Sequence, residues 1–175
     1  GIPFYVETDS LSQTFQIGSR EDGLDIDKIA FGKADLYYTV NDLLFKNHTL
    51  IWREQKPGWI SDLDSTEQFN YIETWIRMVG ERYPDMDMID VVNEPLPNHS
   101  PPDGAGGRAN YKDALGGDGE TGWDWVIKSF ELARQYMPNT ELILNDYNII
   151  NSNTNTTAYL EIINLLMDRE LIDAI

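Results

Sequence analysis

The stretch "DMIDVVNEPLPNHSPP", Asp87 to Pro102, carries Met88, Ile89, Val91 and Val92 close together and then breaks into proline. An apolar run of this length, rich in β-branched residues, reads as a buried strand, here Met86 to Val92. Pro95 lacks an N–H for a sheet ladder and biases the residue before it towards extended backbone. The strand therefore ends at Glu94 and carries that carboxylate to the carboxyl-terminal rim of the sheet. Regular alternation would send Asn93 and Glu94 to opposite faces, so both line one cleft only if the strand twists or bulges there.

Outward from this strand, the chain alternates between two apolar patterns. Upstream, Phe69, Ile72, Ile76, Val79 and Tyr83 trace one helical face that stops at Pro84, with Ser65 and Gln68 at capping-box spacing. Before that helix lies the compact run Leu50, Ile51, Trp52, and before the run a helix is expected over Ala34 to Lys46, with Tyr37, Val40, Leu43 and Leu44 at helical spacing. Downstream, a glycine-rich loop from Pro95 to Gly122 leads to a third amphipathic face (Trp123, Val126, Ile127, Phe130, Ala133, Met137) and the strand Glu141 to Leu144. A fourth helix is expected over Thr157 to Arg169, burying Leu160, Ile163, Leu166 and Met167, and Leu171, Ile172 and Ile175 read as the start of another strand. Helix-strand alternation of this kind argues for parallel strands covered by helices, an α/β fold. No glycine-rich nucleotide fingerprint supports an open doubly wound sheet, so a segment of a (β/α)8 TIM barrel is the better reading, since a complete barrel takes about 250 residues. Residues 1–33 have weaker periodicity and no assigned role, and residues 34–175 form the partial barrel domain.

Thirty acidic against thirteen basic side chains give a formal charge of -17 over 175 residues, which disfavours nucleic acid and anionic membranes and favours a neutral or cationic partner. There is no cysteine, which removes disulfides, thiolate nucleophiles and cysteine metal sites. No stretch of 18 or more apolar residues spans a bilayer, and the first residues lack a signal-peptide pattern, as a mature or excised segment would.

Three segments converge on the carboxyl rim: His48 and Trp52 around the first strand, Asn93 and Glu94 at the second, and Asn145 to Asn148 after the third. Carboxylate, amides, imidazole and aromatic rings together suit a neutral sugar, whose hydroxyls need donors and acceptors and whose C–H face packs on rings. His48 has no second histidine at metal-ligand spacing, and the "DGAGG" and "GGDGE" segments lack EF-hand alternation, so no metal is expected. Trp75 and Trp123 read as core, leaving Trp52 and Trp59 as sugar platforms. His99 reads as a loop residue and Asp146 as a hydrogen-bonding corner. Asn47, Asn98 and Asn155 each begin an Asn-X-Ser/Thr triplet.

The segments "NHTLIWREQKPGWI", "DVVNEPL", "LILNDYN", "GGDGETGWDW" and "ELIDAI" together resemble glycoside hydrolase family 10, the endo-β-1,4-xylanases, from about Phe31 to Ile175. The resemblance implies a TIM barrel that cleaves xylan with retention of configuration and without metal or organic cofactor. It implies that Glu94 is the general acid/base, that Asn93 binds a sugar hydroxyl beside the scissile bond, and that His48, Trp52 and Gln55 line the same subsite. Tyr147 and Asn148 match the element near the leaving-group side. Asn47 stands where the family usually has glycine and Arg53 where it has a second histidine; Arg53 is expected to pair with Asp90. The family's glutamate-asparagine-lysine motif is not recognisable before residue 34, and its nucleophile, a glutamate on a later strand, is expected beyond Ile175. The partners implied are xylan or xylo-oligosaccharide and the remaining barrel strands, and the compartment implied is secreted or periplasmic. Two alternatives stay open: a catalytically incomplete sugar-binding barrel fragment, and a related retaining β-1,4-glucanase.

Overall fold

The computed structural model describes residues 44–54, 56–105 and 109–175. Most of the expected helix over Ala34 to Lys46 lies outside these residues, and its last residue belongs instead to the first strand. Strand β1 is Lys46–Ile51, β2 is Met88–Asn93 and β3 is Glu141–Asn145; all are parallel and lie in the order β1-β2-β3. Helix α1 (Ser65–Arg82) connects β1 to β2, α2 (Asp124–Tyr136) connects β2 to β3, and α3 (Asn153–Met167) follows β3. The expected further strand begins where the sequence places it, because Ala174 makes a parallel bridge to Ile143 and its N–H and C=O bond Leu142 and Leu144. Parallel strands laid down side by side in sequence order, each followed by a helix, form an arc of a TIM barrel, whereas a doubly wound sheet reverses its order at a switch point.

The middle strand β2 is buried almost throughout, and both Val91 and Val92 lie in the core. They pack with Ile51, Ile89, Leu142 and Leu144 of the sheet and with Ile72, Ile76 and Val79 of α1 and Val126, Phe130 and Ala133 of α2. Helix α1 starts with a capping box one residue earlier than the expected Ser65/Gln68 pair. Asp64 accepts from the Glu67 N–H (2.9 Å) and Glu67 accepts from the Asp64 N–H (3.3 Å). Aspartate caps as well as serine, and a glutamate in the first turn also meets the positive end of the helix dipole. Gln68, released from capping, is buried and donates to the Ile60 carbonyl and the Asn110 side chain.

Helix phase corrects three more expectations. Trp75 is half exposed, donating its indole N–H to the Leu50 carbonyl at 3.3 Å. In α3 the buried apolar residues are Tyr159, Ile162 and Leu166, with Ile163 partly buried, while Leu160 and Met167 are exposed. This helix carries apolar residues on several sides, so periodicity alone leaves its buried face open. It also begins four residues before the expected Thr157, with Ser152 as its N-cap accepting from the Asn155 N–H.

Candidate active site

The strand ends are not level. Between matched ladder positions, His48 to Ile51 in β1 covers three steps, Asp90 to Val92 in β2 covers two, and Ile143 to Leu144 in β3 covers one. Each strand therefore carries one residue more than its neighbour towards β3. The bulge in β2 falls just before Asn93 and resets its side-chain alternation.

Glu94 follows with φ of +56°, a left-handed conformation that side chains rarely adopt and that here replaces the expected extended backbone. Backbone hydrogen bonds hold it on both sides: its N–H donates to the Asn145 carbonyl at 2.8 Å, and its carbonyl accepts from the Ser100 N–H at 3.3 Å. A strained non-glycine backbone survives only where the surroundings impose it, and such positions cluster at functional sites.

The bulge and the left-handed turn let the tip of β2 reach both neighbours. Asn93 is buried and its side-chain oxygen accepts from the Asn145 amide at 2.5 Å, towards β3. Glu94 is partly exposed, and its Oε2 accepts from the Trp52 indole N–H at 3.0 Å, towards β1. The His48 ring lies 6.2 Å from the Trp52 ring, and its Nδ1 is 2.7 Å from Asp90 Oδ2. Asp90 is buried and also pairs with Lys46 at 2.8 Å, so the expected Arg53–Asp90 pair is not formed. The reason is register: His48 sits directly opposite Asp90 in the parallel ladder, and Lys46 is two residues away on the same side. Arg53 instead donates to the His99 carbonyl at 3.3 Å and approaches Glu54.

Tyr111 is a site residue that no sequence signal marks. It projects from the loop after Glu94, is buried, and its hydroxyl donates to the Trp52 carbonyl while accepting from the Trp52 N–H. Burial pushes the pKa of this hydroxyl up, so it stays protonated and keeps both bonds. The loop contributes to the core through Ala109, Tyr111 and Leu115, and it fixes the main chain of the residue that holds Glu94.

Beyond Asn145, Asp146 is the expected hydrogen-bonding corner. Its carboxylate accepts from the Leu96 N–H (3.2 Å), the Tyr147 N–H (2.7 Å) and the His99 ring. Burial pushes its pKa up, and those three donors oppose the rise. His99 lies in the loop after β2, as expected, but its side chain is almost wholly enclosed. Tyr147 and Asn148 join this cluster, Tyr147 by stacking on His99 and Asn148 through its carbonyl, which accepts from Asn155. Asn155 is itself buried, which leaves its Asn-X-Thr triplet engaged in the fold. Gln55 lies outside the described residues, and Trp59 is half exposed against Tyr71. Among the described residues no group of His, Asp and Glu has the arrangement of a metal site.

The arrangement presents one carboxylate, fixed by an indole donor at a sheet rim, beside amides, an imidazole and a half-exposed aromatic ring. Such a set can hold a neutral polyol and pass it a proton. Residues 16–175 match the family model of glycosyl hydrolase family 10. Endo-1,4-beta-xylanase B of Cellvibrio japonicus is 44% identical over 114 residues, covering 65% of this chain and 17% of that protein. Endo-1,4-beta-xylanase A of Thermotoga neapolitana is 31% identical over 162 residues, covering 85% of this chain and 14% of its own length. The chain thus spans less than a fifth of either relative. In fold it is similar to the GH10 structure from Paenibacillus barcinonensis (TM-score 0.68, 25% identity, 84% of this chain and 46% of that one). It is also similar to a mutant xylanase10C from Cellvibrio japonicus in complex with xylopentaose (TM-score 0.63, 21% identity, 79% and 28%).

Proposed function

Because the chain belongs to glycosyl hydrolase family 10, we propose that it forms part of the catalytic domain of a retaining endo-β-1,4-xylanase in which Glu94 is the general acid/base. The observation that carries this reading is Glu94 itself, a left-handed carboxylate at the tip of β2 with its Oε2 3.0 Å from the Trp52 indole nitrogen.

In the proposed reaction, Glu94 first donates a proton to the glycosidic oxygen as a second carboxylate, about 5 to 5.5 Å away, attacks the anomeric carbon. It then takes a proton from the water that hydrolyses the glycosyl intermediate. Two carboxyl groups and water suffice, so no metal or organic cofactor is required. Within this scheme Asn93 offers its amide to a sugar hydroxyl next to the scissile bond. His48, Trp52 and Gln55 line the same subsite, and Tyr147 and Asn148 meet the sugar on the leaving-group side. The xylopentaose held by the xylanase10C relative supports a xylo-oligosaccharide as ligand. A polymer too large to enter a cell supports secretion or delivery to the periplasm.

The test compares the protein carrying this chain with its Glu94→Ala variant on xylan and on carboxymethyl cellulose. Loss of a general acid costs about 10²- to 10⁴-fold on xylan. An aryl xylobioside with a good leaving group needs no proton for the first step, so azide should rescue the variant on that substrate and trap a xylobiosyl azide of retained configuration. Undiminished xylan hydrolysis by Glu94→Ala would remove Glu94 from the mechanism, and preference for the cellulose derivative would change the substrate to a β-1,4-glucan.

A further inference from the structure

We infer that His99 is a positioning residue that immobilises Tyr147 as an aromatic platform for the sugar on the leaving-group side; the ligand assignment rests on the function proposed above. The Tyr147 ring is half exposed, yet it lies over the His99 ring with centroids 3.9 Å apart and planes 20° from parallel. An exposed tyrosine ordinarily samples several rotamers. This one has its ring on His99 and its own N–H on Asp146, and Asp146 is the same carboxylate that grips His99.

His99 in turn is held by two parts of the chain. Its ring Nδ1 meets Asp146 from the loop after β3, and its Nε2 lies 3.4 Å from the Asn155 side-chain amide in the first turn of α3. That amide nitrogen also faces the Asn148 carbonyl at 3.4 Å, which can only accept, so the nitrogen end of Asn155 is the one turned towards His99. Nδ1–H donates to Asp146 on one side and Asn155 abuts Nε2 on the other, which fixes the ring plane. Asp146 also accepts from the Leu96 N–H, two residues after Glu94. The platform and the proposed acid are therefore built on one rigid corner, which sets the ring in place before any sugar arrives. A ring immobilised beforehand loses no rotamer freedom on binding, and this shows as affinity for the residue stacked on it.

Two substitutions separate the ring from the hydrogen bond. His99→Asn keeps a nitrogen donor near the Nδ1 position for Asp146 and removes the face beneath Tyr147. His99→Phe keeps the face and removes the donor. An aromatic stack contributes roughly a two- to tenfold effect on affinity. His99→Asn is expected to raise KM for xylotetraose about fivefold on that scale, with kcat for an aryl xylobioside, which places no sugar on the leaving-group side, unchanged. In a Tyr147→Ala background the same change should add nothing. Equal losses on both substrates, or additive losses in the double variant, would reduce His99 to a fold-stabilising residue and overturn the inference. Contacts between the Tyr147 and His99 rings, read by nuclear Overhauser effects in the wild-type protein, stand apart from activity. Their absence overturns the clamp, whereas their presence in a protein that does not cleave xylan leaves the clamp standing and refutes the functional reading.

Discussion

Gly80 lies in α1 where that helix comes closest to the end of α2. A Cβ placed there would stand 2.4 Å from the Tyr136 carbonyl oxygen, 3.0 Å from Met137 Cγ and 3.1 Å from the Tyr136 carbonyl carbon. Two opposing terms decide the effect of Gly80→Ala. Inside a helix, alanine is favoured over glycine by about 1 kcal/mol. Against this, the contact must open from 2.4 Å to at least 3.0 Å, and the obstructing atom is backbone, so no rotamer change relieves it. Overpacking of this kind costs about 1 to 3 kcal/mol, and a shift of two packed helices belongs at the upper end. The net expectation is a loss of about 2 kcal/mol. Gly58 is the internal control: nothing lies within 4 Å of the position an alanine methyl would take there, so Gly58→Ala should change stability by no more than about 0.5 kcal/mol. Urea denaturation followed by tryptophan fluorescence measures both, with the midpoint shift read at constant slope. If Gly80→Ala is as stable as the wild type or more so, helix propensity wins and the close approach of α1 to α2 is refuted.

Trp52→Phe retains the ring and deletes the donor to Glu94. A hydrogen bond contributes about 0.5 to 1.5 kcal/mol, so kcat/KM on xylan should fall about two- to tenfold; an unchanged value would show that the indole N–H is dispensable. Tyr111→Phe leaves the Trp52 carbonyl and N–H without their buried partner and should cost about 2 kcal/mol in denaturant unfolding; a change under about 0.5 kcal/mol would mean that water replaces the hydroxyl. For Asp173, burial pushes the pKa up, but the Leu142 N–H and Arg134 outweigh it and hold the carboxyl below its ordinary value. The sign follows: its contribution is present above the unfolded-state pKa of about 3.9 and is lost as pH falls through the lower folded-state value. Asp173→Asn should therefore be less stable at pH 7 by less than about 1 kcal/mol, since the group is partly exposed, and the gap should close in acid; a gap that persists in strong acid would remove the charge from the explanation.

Much of the architecture is legible in the amino-acid sequence, because a central buried strand leaves a mostly apolar run such as Met88 to Val92, interrupted only by Asp90, and the covering helices leave faces such as Ile72, Ile76 and Val79. The phase of α3 is not legible, since Leu160 and Met167 are as apolar as Tyr159 and Ile162 and only the neighbouring surfaces choose between them. The cap of α1 falls one residue before the expected one because Asp64 and Ser65 are adjacent and equally suited to the position. Glu94 stands out through its proline, but its left-handed backbone does not, being imposed by Asn145 and Ser100 from outside the strand. The Arg53–Asp90 pairing fails because ladder register, which no local pattern encodes, places His48 against Asp90. His99 and Tyr111 carry no local signature at all, since their roles arise from partners 47 and 59 residues away along the chain.

The uneven strand ends turn residue number itself into a structural quantity. Between the matched rungs β1, β2 and β3 take three, two and one steps, so β2 is one residue shorter than one neighbour and one longer than the other. Removing Val91 would level β2 with β3 and widen its mismatch with β1; duplicating it would do the reverse. Either edit keeps every chemical group of "VNEP" in the protein, yet it advances or retards the whole tip by one place. Asn93 and Glu94 would then no longer meet Asn145 on one side and Trp52 on the other. Along this segment, point changes are a matter of degree, whereas changes of length are all or nothing.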